Sequence, residues 1–306
     1  MRIKFGLVLL ITVFACSALA QDKVLYNVEA KQDTGQPEIV KAIQKASQKT
    51  AYSERLKTEK KAYSNPFAIT LYKPNYILPF YFTSRPYQSV YGNTIPDKQH
   101  LKKSEFKAQI SFKVPIWRHI LQQKLALYAA YSQVFYWQLY TESPYFRETN
   151  YEPELFFSYD IRPWNSWNFG IVHQSNGRGG SMERSWNRVY ADAIFSLGDF
   201  TLSFKPWVLI FKHNSSTIHN PDITKYLGHG RMLFVFTHKK FSIYLMARNN
   251  LESHFKRGAI ELGVNFPIYG RFYGFVQGFS GYGQSLIEYD HYTNAVGVGI
   301  AFNGWT

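Results

Sequence analysis

The 306-residue chain carries one cysteine, Cys16, and it lies in the leading segment. Arg2 and Lys4 precede an apolar stretch from Phe5 to Ala15, and Ala18-Leu19-Ala20 offers a small-residue cleavage site before Gln21. That is the pattern of a secretory signal peptide over residues 1–20. Lipoprotein processing at Cys16 is the rival reading, and bulky Phe14 two positions earlier argues against it. Cleavage after Ala20 leaves no cysteine, which excludes a disulfide scaffold despite the oxidising destination. Long apolar runs are missing too. Beyond the leader, no segment approaches the roughly 18 to 20 uninterrupted apolar residues that a membrane helix needs. Acid is scarce, with 21 Asp and Glu against 35 Lys and Arg, a formal charge of +14. Two of those units leave with Arg2 and Lys4. No nucleic-acid module accompanies the basic excess, which in an exported chain points to anionic lipid headgroups or lipopolysaccharide.

What the chain has in quantity is aromatic residues, 18% of the total, set in short alternating segments. Phe106, Ala108, Ile110, Phe112 and Val114 oppose Lys107, Gln109, Ser111 and Lys113. Leu155, Phe157 and Tyr159 oppose Glu154, Ser158 and Asp160, with Phe156 breaking the pattern. Further clean alternations cover 200–205, 241–248, 260–266 and 296–302. Weaker candidates lie near 67–75, 125–139, 229–238 and 271–282. With the two strands of the site below, these make about twelve. An exported, aromatic-rich chain of this kind is expected to be all-β, a transmembrane antiparallel β-barrel of about 12 strands over residues 66–306. A soluble β-sandwich would also alternate, but would not call for aromatic strand ends. Residues 21–65, rich in Lys, Gln, Glu and Ala with a helix-compatible run from Pro37 to Lys61, read as a periplasmic or flexible segment. The second faces carry both charge signs: Lys107, Lys113, Arg188, Lys205 and Arg248 against Glu154, Asp160, Asp192 and Glu261. Such groups are expected to pair across the lumen and fill it.

The most specific stretch is His173 to Arg188. Trp167, Phe169 and Ile171 alternate with Asn168, Gly170 and Val172, and the same parity carries His173 and Ser175 onto the apolar face. After a turn, Asn187, Val189, Ala191, Ala193 and Phe195 form the apolar face of the next strand. A histidine, a serine and an asparagine thus share one apolar surface. Serine becomes a useful nucleophile when an imidazole takes its proton, and an amide oxygen can orient that imidazole. Backbone amides of the Asn176-Gly177 turn are placed to face an oxyanion. The plainer alternative is a polar belt where lipid gives way to water, and spacing alone does not separate the two.

Six motifs, in order, go further: Glu148-Thr-Asn-Tyr-Glu-Pro153, His173-Gln-Ser-Asn-Gly-Arg178, Arg184-Ser-Trp-Asn-Arg188, Lys205-Pro-Trp207, Asn220-Pro-Asp-Ile-Thr-Lys-Tyr226 and Ser280-Gly-Tyr-Gly-Gln-Ser-Leu-Ile287. From about residue 67 to the end, the chain resembles the outer-membrane phospholipase A family. The resemblance implies a twelve-stranded outer-membrane barrel with a Ser-His-Asn site on its outside wall. It also implies hydrolysis of glycerophospholipid acyl esters (A1/A2 and lysophospholipase type), dependence on Ca2+, and activation by homodimerisation. By motif position Ser175 is the nucleophile, His173 the base and Asn187 the orienting group, with Gly177 and Ser175 at the oxyanion site. The same resemblance points to the main-chain oxygen of Arg178, with Glu183, as metal ligands, to Ser143 of a partner subunit completing the site, and to Asp222 as a weaker candidate.

Gln133 shares parity with Leu127, Ala129, Tyr131, Phe135 and Trp137, and is expected at the dimer interface. Two departures stand out. Glu183 sits where the family commonly has a hydroxyl, with Gly179-Gly180 before it, and Trp305 is followed by Thr306. A lipid acyltransferase of the same fold and a non-catalytic barrel or pore are the alternatives, separable by released fatty acid and by conductance.

Overall fold

The structure, a computed structural model, describes residues 50–65, 67–121, 124–162, 165–210 and 219–305. The expected signal peptide, and the segment that follows it up to residue 49, lie outside the described residues. The first described element is helix α1 (Ala51–Ala62). Thr50 caps it by accepting a 3.0 Å hydrogen bond from the Ser53 amide, while Ser53 answers the Thr50 amide. This reciprocal box satisfies two donors that a helix start leaves free.

The remainder is strand and turn. In order come β1 (Thr70–Leu71), β2 (Tyr76–Thr83), β3 (Ser104–Ile120), β4 (Leu125–Gln138), β5 (Tyr145–Arg162), β6 (Asn165–Ser175) and β7 (Ser185–Leu197). Then follow β8 (Phe200–Ile210), a one-turn helix α2 (Thr224–Leu227), β9 (Gly230–His238), β10 (Phe241–Asn249), β11 (Gly258–Tyr269), β12 (Phe272–Tyr282) and β13 (Tyr292–Ala301). Each strand from β2 onward pairs antiparallel with its sequence neighbour, and β13 returns to pair with β2. The result is a closed barrel of twelve strands, with β1 a short extra pairing on β3. Closure leaves no open edge, which is what a sheet spanning lipid requires.

One strand expectation is corrected. The first barrel strand is Tyr76–Thr83, and of 67–75 only Thr70 and Leu71 pair. Pro79 hid it, since proline cannot donate to a ladder. Here the β2–β3 register shifts between Leu78 and Tyr81, and a bulge is where a sheet tolerates proline.

Side chains are distributed inside out. Ile110, Phe157, Phe169, Ile171, Val189, Phe234, Leu262 and Val298 are exposed on the outer wall, as lipid-facing positions are. Lys107, Lys113, Arg147, Glu154, Arg188 and Lys205 are buried in the lumen. Part of the expected pairing occurs, with partners the alternation did not name, while Lys107 donates to Gln277 Oε1 and Arg248 to the main-chain oxygens of Tyr282 and Gly283 rather than to acids. Lys205 meets Glu154 at 2.9 Å, Arg147 meets Glu105 at 2.7 Å, and Glu152 takes both Lys73 and Arg188. Phe156 breaks its strand's alternation because the lumen also holds an aromatic stack, Tyr72–Phe156–Tyr128, at centroid distances of 5.5 and 5.4 Å.

Short connections (198–199, 239–240, 270–271) gather at one end and long ones (84–103, 176–184, 283–291) at the other. In outer-membrane barrels these are the periplasmic and extracellular ends. Helix α1 docks at the short-turn end. Arg55 donates to the main-chain oxygens of Leu71 (2.8 Å), Tyr72 (2.7 Å) and Trp305 (2.6 Å), joining the chain's entry into the barrel to its exit. Glu59 reaches Lys113 at 2.9 Å and Lys60 reaches Asp160 at 2.9 Å. Residues 50–65 therefore belong with the barrel rather than with a free segment ahead of it.

Burial alone would raise the Glu59 carboxyl, but Lys113 and Arg55 outweigh it and hold the group below the usual carboxylate range. A carboxylate lowered on folding stabilises above its unfolded pKa, and that stability fades as pH falls through the folded value. Glu59→Gln, which leaves Lys113 buried without its counter-charge, is expected to cost on the order of 3 kcal/mol at neutral pH. Thermal melts in detergent check this. The gap between variant and wild type should narrow below about pH 4.

Candidate active site

The register of β6 against β7 builds the site. His173 lies opposite Asn187 and Ser175 opposite Ser185. All four side chains fall on the outer parity, continuing the line of Phe169, Ile171 and Val189. Across the wall, Val172, Gln174, Trp186, Arg188 and Tyr190 point inward.

His173 is exposed, and its Nδ1 lies 2.8 Å from Asn187 Oδ1. A carboxamide oxygen only accepts, so Nδ1 is the donor. In the neutral ring that tautomer leaves the lone pair on Nε2, the nitrogen free to take a proton. No hydrogen bond joins Ser175 Oγ to His173 in this structure. The two are placed on one face, two residues apart on a strand, as the alternation predicted.

The strands carrying these groups are braced from the lumen. Gln174 Oε1 accepts from Trp186 Nε1 at 2.7 Å and from Arg188 Nη2 at 3.3 Å. The Arg188 guanidinium lies 3.9 Å from the Trp186 ring centroid and reaches Glu152 at 3.3 Å. Each of these bonds crosses between strands or fixes a side chain directly behind the site, so the outer groups stand on a stiff backing.

Sequence reasoning passed over three residues that shape the turn above the site. Asn176 was read only for its backbone. Its buried side chain in fact staples the whole 176–184 connection, accepting from the amides of Arg178 (3.3 Å) and Arg184 (3.0 Å) and donating to Met182 O (2.8 Å). Asn220, from the Asn-Pro-Asp-Ile-Thr motif, takes Ser185 N at 3.1 Å and gives to Ser185 O at 2.8 Å, standing in for a neighbouring strand. Glu148, fully buried, holds Arg178 Nε at 3.1 Å and Ile287 N at 3.2 Å. Asparagines and a glutamate inside otherwise unexplained motifs were the available signal.

Gly177 adopts φ +65°, and a Cβ there would come within 2.8 Å of the Tyr151 ring. Only glycine fits on both counts.

The metal-ligand candidates are dispersed. Arg178 and Glu183 bracket one turn, with Glu183 half-buried and outside any ion pair among the described residues. Arg184, a neighbour that would have neutralised it, instead donates to the main-chain oxygens of Ser181 and Glu183, each at 2.8 Å. Asp222 lies in another loop, accepting from the Tyr289 hydroxyl at 2.9 Å. Ser143 lies in the 139–144 connection, hydrogen-bonded through its hydroxyl to Asp97. Among the described residues no three acidic or histidine side chains gather tightly enough to hold a metal. Gln133 is on the outer wall of β4, accepting from Tyr131 at 2.7 Å, while its neighbour Ser132 bonds Ser111 inside the lumen at 2.7 Å.

A closed twelve-stranded barrel with an apolar exterior, and a His-Asn pair beside a serine on that exterior, defines an outer-membrane β-barrel of the lipid-hydrolase kind. Residues 52–302 match the model of the family described as phospholipase A1. The chain belongs to that family. It is 35% identical over 249 residues to phospholipase A1 of Klebsiella pneumoniae and 35% over 250 residues to that of Escherichia coli K12, covering 79% of this chain and 84% and 83% of theirs. It spans 64% of the length of a Neisseria meningitidis relative that is 34% identical.

Among solved structures, the Salmonella typhi outer membrane phospholipase dimer with bound calcium superposes with a TM-score of 0.73 at 34% identity, covering 79% of this chain and 94% of that one. An active-site mutant of the Escherichia coli enzyme gives 0.76 at 32% identity, covering 84% and 100%.

Proposed function

We propose that the chain is a calcium-dependent outer-membrane phospholipase that hydrolyses acyl esters of glycerophospholipids through Ser175, His173 and Asn187. The observation that carries this reading is the 2.8 Å contact from His173 Nδ1 to Asn187 Oδ1 on the same outward face as Ser175. Ser175 Oγ bonds to the ester carbonyl carbon as its proton passes to His173 Nε2, and the carbonyl electron pair moves onto oxygen. Collapse breaks the bond to the lysophospholipid oxygen, which takes the proton from His173. Water then gives a proton to His173 and attacks the acyl carbon. Collapse frees the fatty acid and returns the proton to Ser175. The Gly177 amide, in its left-handed turn, is the main-chain donor for the oxyanion. A site on the outer wall lets acyl tails stay in lipid while the ester reaches the polar boundary.

Ser175→Ala is expected to lower turnover on phospholipid micelles by about four orders of magnitude or more, while Asn187→Ala keeps measurable activity because it only orients the base. Fatty-acid release from purified protein decides the matter. Near-normal turnover by Ser175→Ala would overturn the catalytic assignment.

For the cation, oxygen donors of the 178–183 turn fit a hard ion. The Arg178 main-chain oxygen and the Glu183 carboxylate, outside any ion pair among the described residues, would hold it with Ser143 of the partner subunit. Asp222, already engaged by Tyr289, is the weaker candidate. When bound, calcium supplies positive charge beside the developing oxyanion. Glu183→Gln is expected to raise the calcium concentration for half-maximal activity roughly tenfold, since ligand charge tunes affinity. An unchanged calcium titration would remove Glu183 from the site and leave the Ser-His-Asn assignment standing.

The active form in this reading is a homodimer, as in the calcium-bound Salmonella structure. Gln133, polar and outward among lipid-facing residues, hydrogen-bonds its counterpart across the two-fold axis. A contact of about 1 kcal/mol in the membrane corresponds to roughly a fivefold shift in dimer dissociation. Crosslinking in detergent should show less dimer for Gln133→Ala than for wild type, and an equal fraction would place the interface elsewhere.

A further inference from the structure

The ladder that sets His173 opposite Asn187 continues two residues toward the outer loops, where Ser175 stands opposite Ser185. The first pair shows that side chains at facing positions on this wall meet across the strands, because the imidazole and the carboxamide are hydrogen-bonded at 2.8 Å. The second pair has the same parity and the same relation. Facing side chains on an antiparallel pair have Cβ atoms about 4.5 to 5.5 Å apart, within reach for two hydroxyls converging on one small group. Neither the Ser175 nor the Ser185 hydroxyl has a hydrogen-bond partner among the described residues. Ser185 is nevertheless held firmly. Asn220, itself buried, binds both its amide and its carbonyl, at 3.1 and 2.8 Å. A side-chain amide reaching in from a distant loop thus fixes the backbone of the residue facing the nucleophile and leaves its hydroxyl free.

We infer that Ser185 is a further catalytic residue, whose hydroxyl donates a hydrogen bond to the carbonyl oxygen as that oxygen becomes an oxyanion during attack by Ser175. The inference rests on the assignment of Ser175 as nucleophile. The Gly177 amide follows Ser175 in the turn above, and the Ser185 hydroxyl faces it from the next strand, so two donors from different strands bracket the reacting carbon. A donor that bonds more strongly to the oxyanion than to the ground-state carbonyl accelerates the step without tightening substrate binding. Asn220 acts through Ser185 as a positioning residue.

The test compares full-length wild type with Ser185→Ala, Ser185→Thr and Ser175→Ala on phospholipid micelles at saturating calcium. Ser185→Ala is expected to lower kcat about a hundredfold, the scale of losing one oxyanion donor. KM, the pH profile, the calcium titration and the thermal melt should stay as in wild type. Ser185→Thr, which keeps a hydroxyl, should recover most of the loss. A Ser185→Ala enzyme with wild-type kcat would overturn the inference. A loss accompanied by a shifted calcium titration or melting point, or one that Ser185→Thr does not rescue, would overturn it equally. Ser175→Ala keeps the two questions apart. If that variant is inactive while Ser185→Ala is fully active, only the role of Ser185 fails. If Ser175→Ala is itself active, the underlying assignment fails.

Discussion

Closure of the sheet between β13 and β2 is the constraint on which the rest of the molecule depends. In lipid, an unpaired backbone amide or carbonyl has no water to turn to, and each costs several kcal/mol. Once the last strand has met the first, the wall has no edge and every strand has two neighbours. The two wall faces then meet opposite solvents, and the usual polarity of a protein inverts. Apolar side chains such as Ile171 and Val189 go outside, while Lys205, Glu154, Arg188 and Glu152 pair within. Helix α1 extends the same logic to the short-turn end, where Arg55 gathers main-chain oxygens from both ends of the barrel sequence and Glu59 neutralises Lys113.

Against that inverted background, His173, Ser175, Ser185 and Asn187 are conspicuous because they are polar and outside. Their precision comes from the inside. The Gln174–Trp186–Arg188 brace and the Glu152 ion pair stiffen β6 and β7 from the lumen, so the outward groups do not rely on neighbours in the membrane for their orientation. Above the wall, Asn176, Asn220 and Glu148 shape the turn through hydrogen bonds that link three loops and two strands. The outer face that carries the proposed catalytic groups is therefore held by residues that lie behind and above it.

Much of this was written locally in the chain. A strand's period of two assigns each side chain to one face, so the outward parity of His173, Ser175, Asn187 and Gln133 and the inward parity of Lys107 and Glu154 were legible from alternation alone. The motifs named the family and, within it, the expected roles. Local pattern failed where a residue's partner is distant. Pro79 disguised β2 because the bulge that accommodates it exists only in the pairing with β3. Phe156 looked like an error in alternation until Tyr72 and Tyr128 supplied the stack it joins.

The sequence by itself determined the class of wall, the faces of its strands and which residues are proposed to carry the chemistry. Tertiary structure alone decided that Asn220 clamps Ser185, that Asn176 staples the turn and that α1 closes on the barrel. The physical reason is register. Alternation says which face a residue takes, but only pairing, set by closure of the whole sheet, says which residue stands opposite it.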